Sequence, residues 1–341
     1  MQDIKELTIR ELEEVLEDCK YQKFHARQIF SWIYQKGASE FETMSDLSVG
    51  LKKLLREHFY ILGLRLSQLC TSRDGTQKLL LELPDKQFIE AVSIPQEKRV
   101  TGCLSTQVGC KFACRFCASG ALGFRRNLTC GEILEQVWWL KNESCEHKLT
   151  HLVFMGIGEP LDNYDFVLRA ARIINAKEAF NIGARRITIS TCGIIPGIKR
   201  LATEGLQIEL SVSLHSADEK IRSRLMPLNQ KYPLAELLST CREYIQKTNR
   251  QVTFEYILIK DINSDLLNAQ KLVRILKGLK AKVNLIPANV LKEYAIEPPN
   301  KLDILLFRDC LLKSGIDVTL RKERGQDISA ACGQLRLKYE K

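Results

Sequence analysis

Three thiols fall close together in the run Cys110-Lys111-Phe112-Ala113-Cys114-Arg115-Phe116-Cys117, a C-x3-C-x2-C spacing. Thiolates on so short a loop bind metal well. A structural zinc site takes four protein ligands, and no fourth cysteine or histidine lies nearby along the chain. A [4Fe-4S] cluster on three cysteines leaves one iron open to a ligand from outside the protein, so Cys110, Cys114 and Cys117 suit a cluster better than zinc, which stays the alternative. Phe112, Phe116 and Phe124 are placed to keep water from such a cluster and so to tune its potential.

The chain has 12 cysteines in 341 residues, too sparse for a disulfide scaffold. No apolar run approaches the roughly 18 residues that cross a bilayer. The start, Met1-Gln2-Asp3-Ile4-Lys5-Glu6-Leu7, lacks the basic-then-apolar order of an export signal. A cytoplasmic protein with reduced thiols and no membrane attachment is expected, in which clustered cysteines read as metal-binding or catalytic. Cys19, Cys70, Cys130, Cys145, Cys241 and Cys310 stand apart and read as small buried apolar groups. Cys103 precedes the loop on the strand leading into it, and Cys332 is followed by Gly333, where the backbone can approach closely. Either cysteine alone reads more readily as packing than as chemistry.

The elements that must position these thiols follow from periodicity. Residues 1–65 read as a helical accessory domain, with Leu12, Val15 and Leu16, then Ile29, Phe30, Ile33 and Tyr34, then Leu47, Leu51, Leu54 and Leu55 at helical spacing. Lys20, Lys23, His25, Arg27 and Lys36, interleaved with Tyr21, Phe24 and Trp32, fit either a solvated helical surface or an RNA-contacting one. Residues 66–96 read as a small antiparallel sheet turning at Pro84-Asp85. Over 97–341 strand and helix alternate: runs near 101–106, 152–155, 186–190, 208–214, 252–259 and 283–286 are separated by helical stretches. That rhythm predicts an α/β fold with a parallel sheet, as an incomplete (β/α)6 barrel, with a doubly wound sheet as the fallback. In a barrel, functional groups stand at the C-terminal ends of strands. Gly158-Glu159-Pro160, Ser190, Ser213-Leu214-His215 and Asn289 all fall there, and Glu159 offers a carboxylate to a ligand ammonium.

The charge balance agrees with a polyanionic partner. Hydrophobic residues at 45% and charged residues at 27% exclude disorder, while 51 Lys and Arg against 41 Asp and Glu leave +10. Between Lys98 and Gly131 stand Lys98, Arg99, Lys111, Arg115, Arg125 and Arg126 with no acidic residue, a patch beside the cysteine loop suited to RNA phosphates.

The cysteine loop resembles that of the radical S-adenosylmethionine superfamily. The resemblance extends over essentially the whole chain to the RlmN family of radical RNA methyltransferases, sister to the Cfr family. It is carried by Arg27–Tyr34, Ser105-Thr106-Gln107-Val108-Gly109-Cys110, Phe154–Pro160, Thr188–Gly193, Ser213-Leu214-His215, Leu225-Met226-Pro227-Leu228-Asn229 and the Cys332 segment. It implies that the open iron holds S-adenosylmethionine, two molecules of which are used per turnover, and that an electron yields a 5′-deoxyadenosyl radical. Gly158, Glu159, Ser190, Ser213, Leu214, His215 and Asn289 then bind this cofactor. It implies further that Cys332 carries the methyl carbon to adenine carbon 2, and that Cys103 resolves the protein–RNA link as a Cys103–Cys332 disulfide. Glu90 matches the family's proton acceptor; without the resemblance it reads as an exposed strand residue. Implied partners are 23S rRNA at the peptidyl-transferase centre, tRNA anticodon-loop adenines and a flavodoxin-type reductant, and a monomer is expected. One departure is Val290-Leu291-Lys292 after Asn289, where relatives have a proline-rich turn. The alternatives are the sister reaction at adenine carbon 8 and a non-catalytic metal-binding RNA-binding protein.

Overall fold

The computed structural model describes residues 1–143, 148–290, 296–322, 324–331 and 333–335. Two short strands, β1 (Gln2–Asp3) and β2 (Phe59–Tyr60), pair in parallel and bracket the N-terminal helices. These are α1 (Ile9–Asp18), α2 (Phe24–Phe30) and α3 (Val49–His58). Thr8 caps α1: its hydroxyl accepts the Glu11 N–H while the Glu11 carboxylate accepts the Thr8 N–H, satisfying two groups the helix leaves open. Leu12, Leu16, Ile29, Phe30, Leu51 and Leu55 form the shared core, as their spacing predicts. After α2 the chain widens into a π-helical turn, Ser31–Gln35, that still turns Ile33 and Tyr34 inward.

Among the described residues one ten-stranded sheet carries the rest. It begins with β3 (Arg65–Thr71), β4 (Gln77–Glu82) and β5 (Phe88–Gln96), which pair antiparallel, and β5 pairs antiparallel with β6 (Arg99–Cys103). A separate hairpin, β7 (Gln107–Gly109) with β8 (Phe124–Asn127), spans the cysteine loop and leads to α4 (Cys130–Glu143). Thereafter come β9 (His151–Phe154), α5 (Tyr164–Asn175), β10 (Ile187–Thr191), α6 (Ile195–Leu201), β11 (Glu209–Ser213), α7 (Glu219–Leu225), α8 (Leu234–Thr248), β12 (Val252–Leu258), α9 (Leu266–Leu276), β13 (Ala281–Pro287), α10 (Lys301–Lys313) and β14 (Asp317–Leu320). Within the large sheet every pairing from β6 onward is parallel, each reached through a helix. The order never reverses, so there is no switch point; the doubly wound fallback is excluded and the incomplete barrel stands.

Two sequence expectations change. The antiparallel strands are continuous with the parallel ones through β5 and β6. In addition β14, absent from the sequence reading, extends the parallel run at its edge. Its Asp317-Val318-Thr319-Leu320 is half-exposed throughout and lacks the apolar run that betrays a buried strand.

Strand alternation separates two faces. Ile187, Ile189, Leu210, Val212, Phe254, Val283 and Leu285 pack outward into the core shared with Val167, Ile174, Ile198, Leu237, Leu272 and Phe307 of the helices. The other face carries Ser190, Ser213 and Glu255. The opening between the edge strands is crossed by residues after β14: the Gly325 N–H donates to Asp74 Oδ2 (3.0 Å), and Ser72 Oγ donates to Asp327 Oδ1 (2.5 Å). No helix among the described residues is long and apolar enough to cross a membrane.

Candidate active site

A cavity of about 160 Å³ opens at the C-terminal ends of the parallel strands. Cys110, Cys114 and Cys117 line it together with Phe112 and Phe116. The loop is pinned on several sides. The Cys110 N–H donates to Gly123 O (2.9 Å), Cys117 N–H to Cys114 O (3.0 Å), Arg115 N–H to Leu225 O (3.0 Å) and Ala118 N–H to Gly333 O (2.7 Å). Gly333 sits at φ +79°, and a Cβ there would meet Phe116 O at 2.9 Å, so the turn requires glycine. Burial, with the charge of neighbouring Cys117 adding, pushes the Cys110 thiol up to about 12; burial likewise raises Cys114 well above an ordinary thiol. Such thiols are neutral until positive metal stands beside them, so loading releases protons. Among the described residues no three His, Cys, Asp or Glu side chains converge as a single ion requires, whereas a cubane takes each thiolate at a separate iron. The donor set, three thiols lining one cavity, fits the cluster.

The strand-end residues divide. Gly158, Glu159, Ser190, Ser213 and His215 line the same cavity. Gly158 adopts φ +105° against Gln107, where a Cβ would meet Gln107 Cβ at 2.6 Å. Glu159 is fully enclosed, and burial raises its pKa against the opposing pull of its hydrogen bonds. Its carboxylate already accepts the Cys192 N–H (2.7 Å) and the Leu161 N–H (3.0 Å), tying the β9 and β10 ends together. Each oxygen keeps a lone pair for a further donor, so this tie leaves the expected ammonium contact open. His215, at φ +56°, accepts the Ile257 N–H on Nδ1 (3.0 Å) and meets Phe116 edge-on. Burial, helped by the Arg222 charge, pushes its pKa down to about 3. The ring is neutral with its proton on Nε2, a donor at the cavity wall.

Leu214 and Asn289 stand apart from this set. The Leu214 side chain is wholly in the core, where its hydrophobicity takes it. Asn289 lies outside the cavity lining, and its Oδ1 accepts from Gln326 Nε2 (3.3 Å). Leu291 and Lys292 of the departing turn lie outside the described residues.

Glu90 and Cys103 come together. Cys103 pairs with Val92, and Val92 with Lys78, so the register places all three on one sheet face with Glu90, two residues from Val92. Glu90 is 1% exposed and ion-paired with Lys78 Nζ (3.0 Å), which corrects the exposed-strand reading. Cys332 lies outside the described residues, as does Cys145. Ala330 and Leu335, on either side of it in sequence, pack with Cys103, Val92 and Val153. Met155 packs against this cluster and also lines the cavity.

Sequence reasoning missed several residues. Cys192 lines the cavity beside the cluster thiols, so the absence of a further cysteine or histidine holds along the chain but not in space. Its place just after β10, at a strand end, was the available signal. Gln107 accepts the Glu159 N–H (2.9 Å) and donates to Asp162 (2.8 Å), and Lys111 pairs with Asp162 (2.7 Å). Arg126 pairs with Asp85 and Glu132. Lys111 and Arg126 of the basic segment are thus neutralised by carboxylates from outside it. Phe124 is exposed at 38% and outside the cavity lining, so of the three phenylalanines expected to shield the cluster Phe112 and Phe116 do so.

The chain is similar to known proteins over its full length. The profile of the radical SAM superfamily matches residues 104–273, and that of the ribosomal RNA large subunit methyltransferase N-terminal domain matches 2–61. A probable dual-specificity RNA methyltransferase RlmN of Clostridium novyi (strain NT) is 45% identical over 99% of each chain. One from Thermotoga neapolitana is 44% identical over 99% of this chain and 98% of its own. The crystal structure of a radical SAM methyltransferase from Sphaerobacter thermophilus superposes with a TM-score of 0.92 at 43% identity, covering 98% of this chain and 99% of that one.

Proposed function

This chain belongs to the RlmN family of dual-specificity radical SAM RNA methyltransferases, and on that premise we propose that it methylates adenine carbon 2 in 23S rRNA and in tRNA anticodon loops. The observation that carries the proposal is the meeting of Cys103, Glu90 and the residues flanking Cys332 on a face adjoining the three-cysteine cavity. A [4Fe-4S] cluster on Cys110, Cys114 and Cys117, with S-adenosylmethionine used twice per turnover, supplies the one-electron chemistry that activates a C–H bond.

The residues do the rest. Adenine carbon 2 is electron-poor, so direct transfer of an electrophilic methyl fails there. A carbon tethered to Cys332 sulfur is instead held against the ring as a radical donor. The resulting link needs a second thiol for release, and Cys103 supplies it, leaving a disulfide that a reductant reopens. Glu90, held by Lys78, takes the ring proton. Ser190 and Ser213 hydroxyls and the His215 Nε2–H offer donors and acceptors to the sugar and amino-acid parts of the cofactor. The target adenine must be unstacked, which suits a loop. A flavodoxin-type protein fits as the electron source.

The test is mass spectrometry of nucleosides from an rRNA-loop transcript and from a tRNA, after anaerobic incubation with reconstituted protein, reductant and S-adenosylmethionine. 2-Methyladenosine in both is expected. 8-Methyladenosine would replace the carbon-2 assignment, and no methyladenosine despite cofactor cleavage would overturn the substrate.

A further inference from the structure

Arg222, in α7, is the largest fully buried side chain among the described residues, at 1% exposure. Its guanidinium donates from Nε to Leu214 O (3.2 Å), from Nη2 to Cys192 O (3.1 Å) and Ser213 O (3.2 Å), and from Nη1 to Asn229 Oδ1. All four acceptors are neutral, and among the described residues no carboxylate comes within ion-pair distance. The Asn229 amide passes on to Glu219 Oε1 (2.6 Å), a carboxylate at the surface. A buried charge satisfied only by neutral groups is costly unless an opposite charge stands near.

The position of Arg222 says where that charge belongs. Cys192 and Ser213, whose carbonyls it holds, line the cavity. Leu225 and Met226, at the end of the same helix, pack with Phe112, Cys114 and Phe116. The guanidinium therefore stands one peptide layer behind the cavity wall, near enough for its charge to act on Cys114. On the other side of the Cys192 peptide lies Glu159, a carboxyl that burial pushes toward its neutral form, whereas a guanidinium does not give up its proton. A [4Fe-4S] cluster on three thiolates is a net anion and gains one more negative charge when reduced.

We propose that Arg222 is the buried counter-charge of the cluster and raises its reduction potential by favouring the reduced form. The proposal rests on the reading that Cys110, Cys114 and Cys117 hold that cluster. Arg222 acts through the cluster and is a positioning residue.

The experiment is a redox titration of the reconstituted full-length protein, followed by optical and spin-resonance spectra, without RNA or S-adenosylmethionine. Arg222→Gln at full iron and sulfide content is expected to lower the reduced-to-oxidised ratio at fixed potential about tenfold, about 59 mV for one electron. Arg222→Lys keeps the charge and should stay within about twofold of the wild type. Asn229→Asp combined with Glu219→Gln places a carboxylate against the intact guanidinium, and should lower the ratio as Arg222→Gln does. This variant carries the test if Arg222→Gln fails to load. An unshifted ratio in the loaded Arg222→Gln or the combined variant overturns the proposal, as does an equal fall in Lys and Gln. Wild-type protein that takes up no iron and sulfide overturns the cluster reading itself, a failure separate from any result on potentials.

Discussion

Buried charge is managed differently at the two places where this protein has most of it. Where the N-terminal helices meet α4, charge meets charge. Lys5 Nζ reaches Glu135 Oε1 (2.5 Å), and Glu135 Oε2 accepts the Leu64 N–H (2.8 Å). Around the cavity, charge meets peptide. Glu159 is held by two backbone N–H groups, and Arg222 by three carbonyls and an amide. In the first arrangement the Lys5–Glu135 pair is electrically closed and serves to dock one part of the chain on another. The second fixes each group in place yet leaves its field unspent, which is what a site for charged cofactors needs. Both are buried; only the partners differ.

The comparison predicts effects of different kinds. Cys114→Ala breaks the cavity at its most specific function: iron and sulfide content should fall below cluster stoichiometry and methylation should vanish, as metal analysis and nucleoside assay would show. A variant that retains both removes Cys114 from the ligand set. At the docking junction the cost should appear in stability instead. Glu135→Gln strands the buried Lys5 ammonium and should cost about 3–5 kcal/mol in urea denaturation; a loss well under this would mean the pair is not electrically closed.

Acidity sharpens the contrast because the two regions respond with opposite sign. His215 has its pKa pushed down to about 3, so the unfolded chain takes up the proton first. Its contribution is whole above pH 6.5 and is lost as pH falls toward about 3, by about 1.4 kcal/mol per unit. His215→Gln should remove about one proton from the acid slope of stability. Asp3 is pushed by burial up to about 6. Its ionised form carries a penalty that is absent below pH 3.8 and full above about 6, so Asp3→Asn should stabilise the protein by about 1–3 kcal/mol at pH 8 and by little at pH 4. Denaturation curves at four pH values check both. The smallest effect belongs to an exposed pair outside both regions: Arg10→Ala, removing the contact with Glu14, should change stability by about 0.5 kcal/mol or less.

Much of this was legible in the sequence, for identifiable reasons. The parallel strands bury one face against helices, so their Ile, Val and Leu content announced them, as the run 252–259 announced β12 (Val252–Leu258). The cysteine loop was legible because its spacing is local. What stayed hidden depends on contacts distant in sequence. An acidic residue in a strand looks exposed until a lysine from the next strand covers it, as Lys78 covers Glu90. Cys192 is separated from Cys117 by many residues and joins it only when β6 and β10 flank β9. Leu214 sits in a cofactor motif, yet its side chain obeys the core. Arg222 carried no local sign that it would be enclosed.

The strand order has a bearing on how the molecule is made. From β3 to β14 each strand of the large sheet lies beside the one before it, apart from the small hairpin over the cysteine loop. A chain leaving the ribosome can therefore add each new strand to an edge already present, without waiting for a segment not yet synthesised and without threading. The growing edge is exposed at every stage until the residues after β14 reach back to Ser72 and Asp74. Vectorial assembly in this order makes the cysteine loop an early product and the Cys332 segment a late one, so the thiol assigned to carbon transfer arrives after the scaffold for the cluster is built.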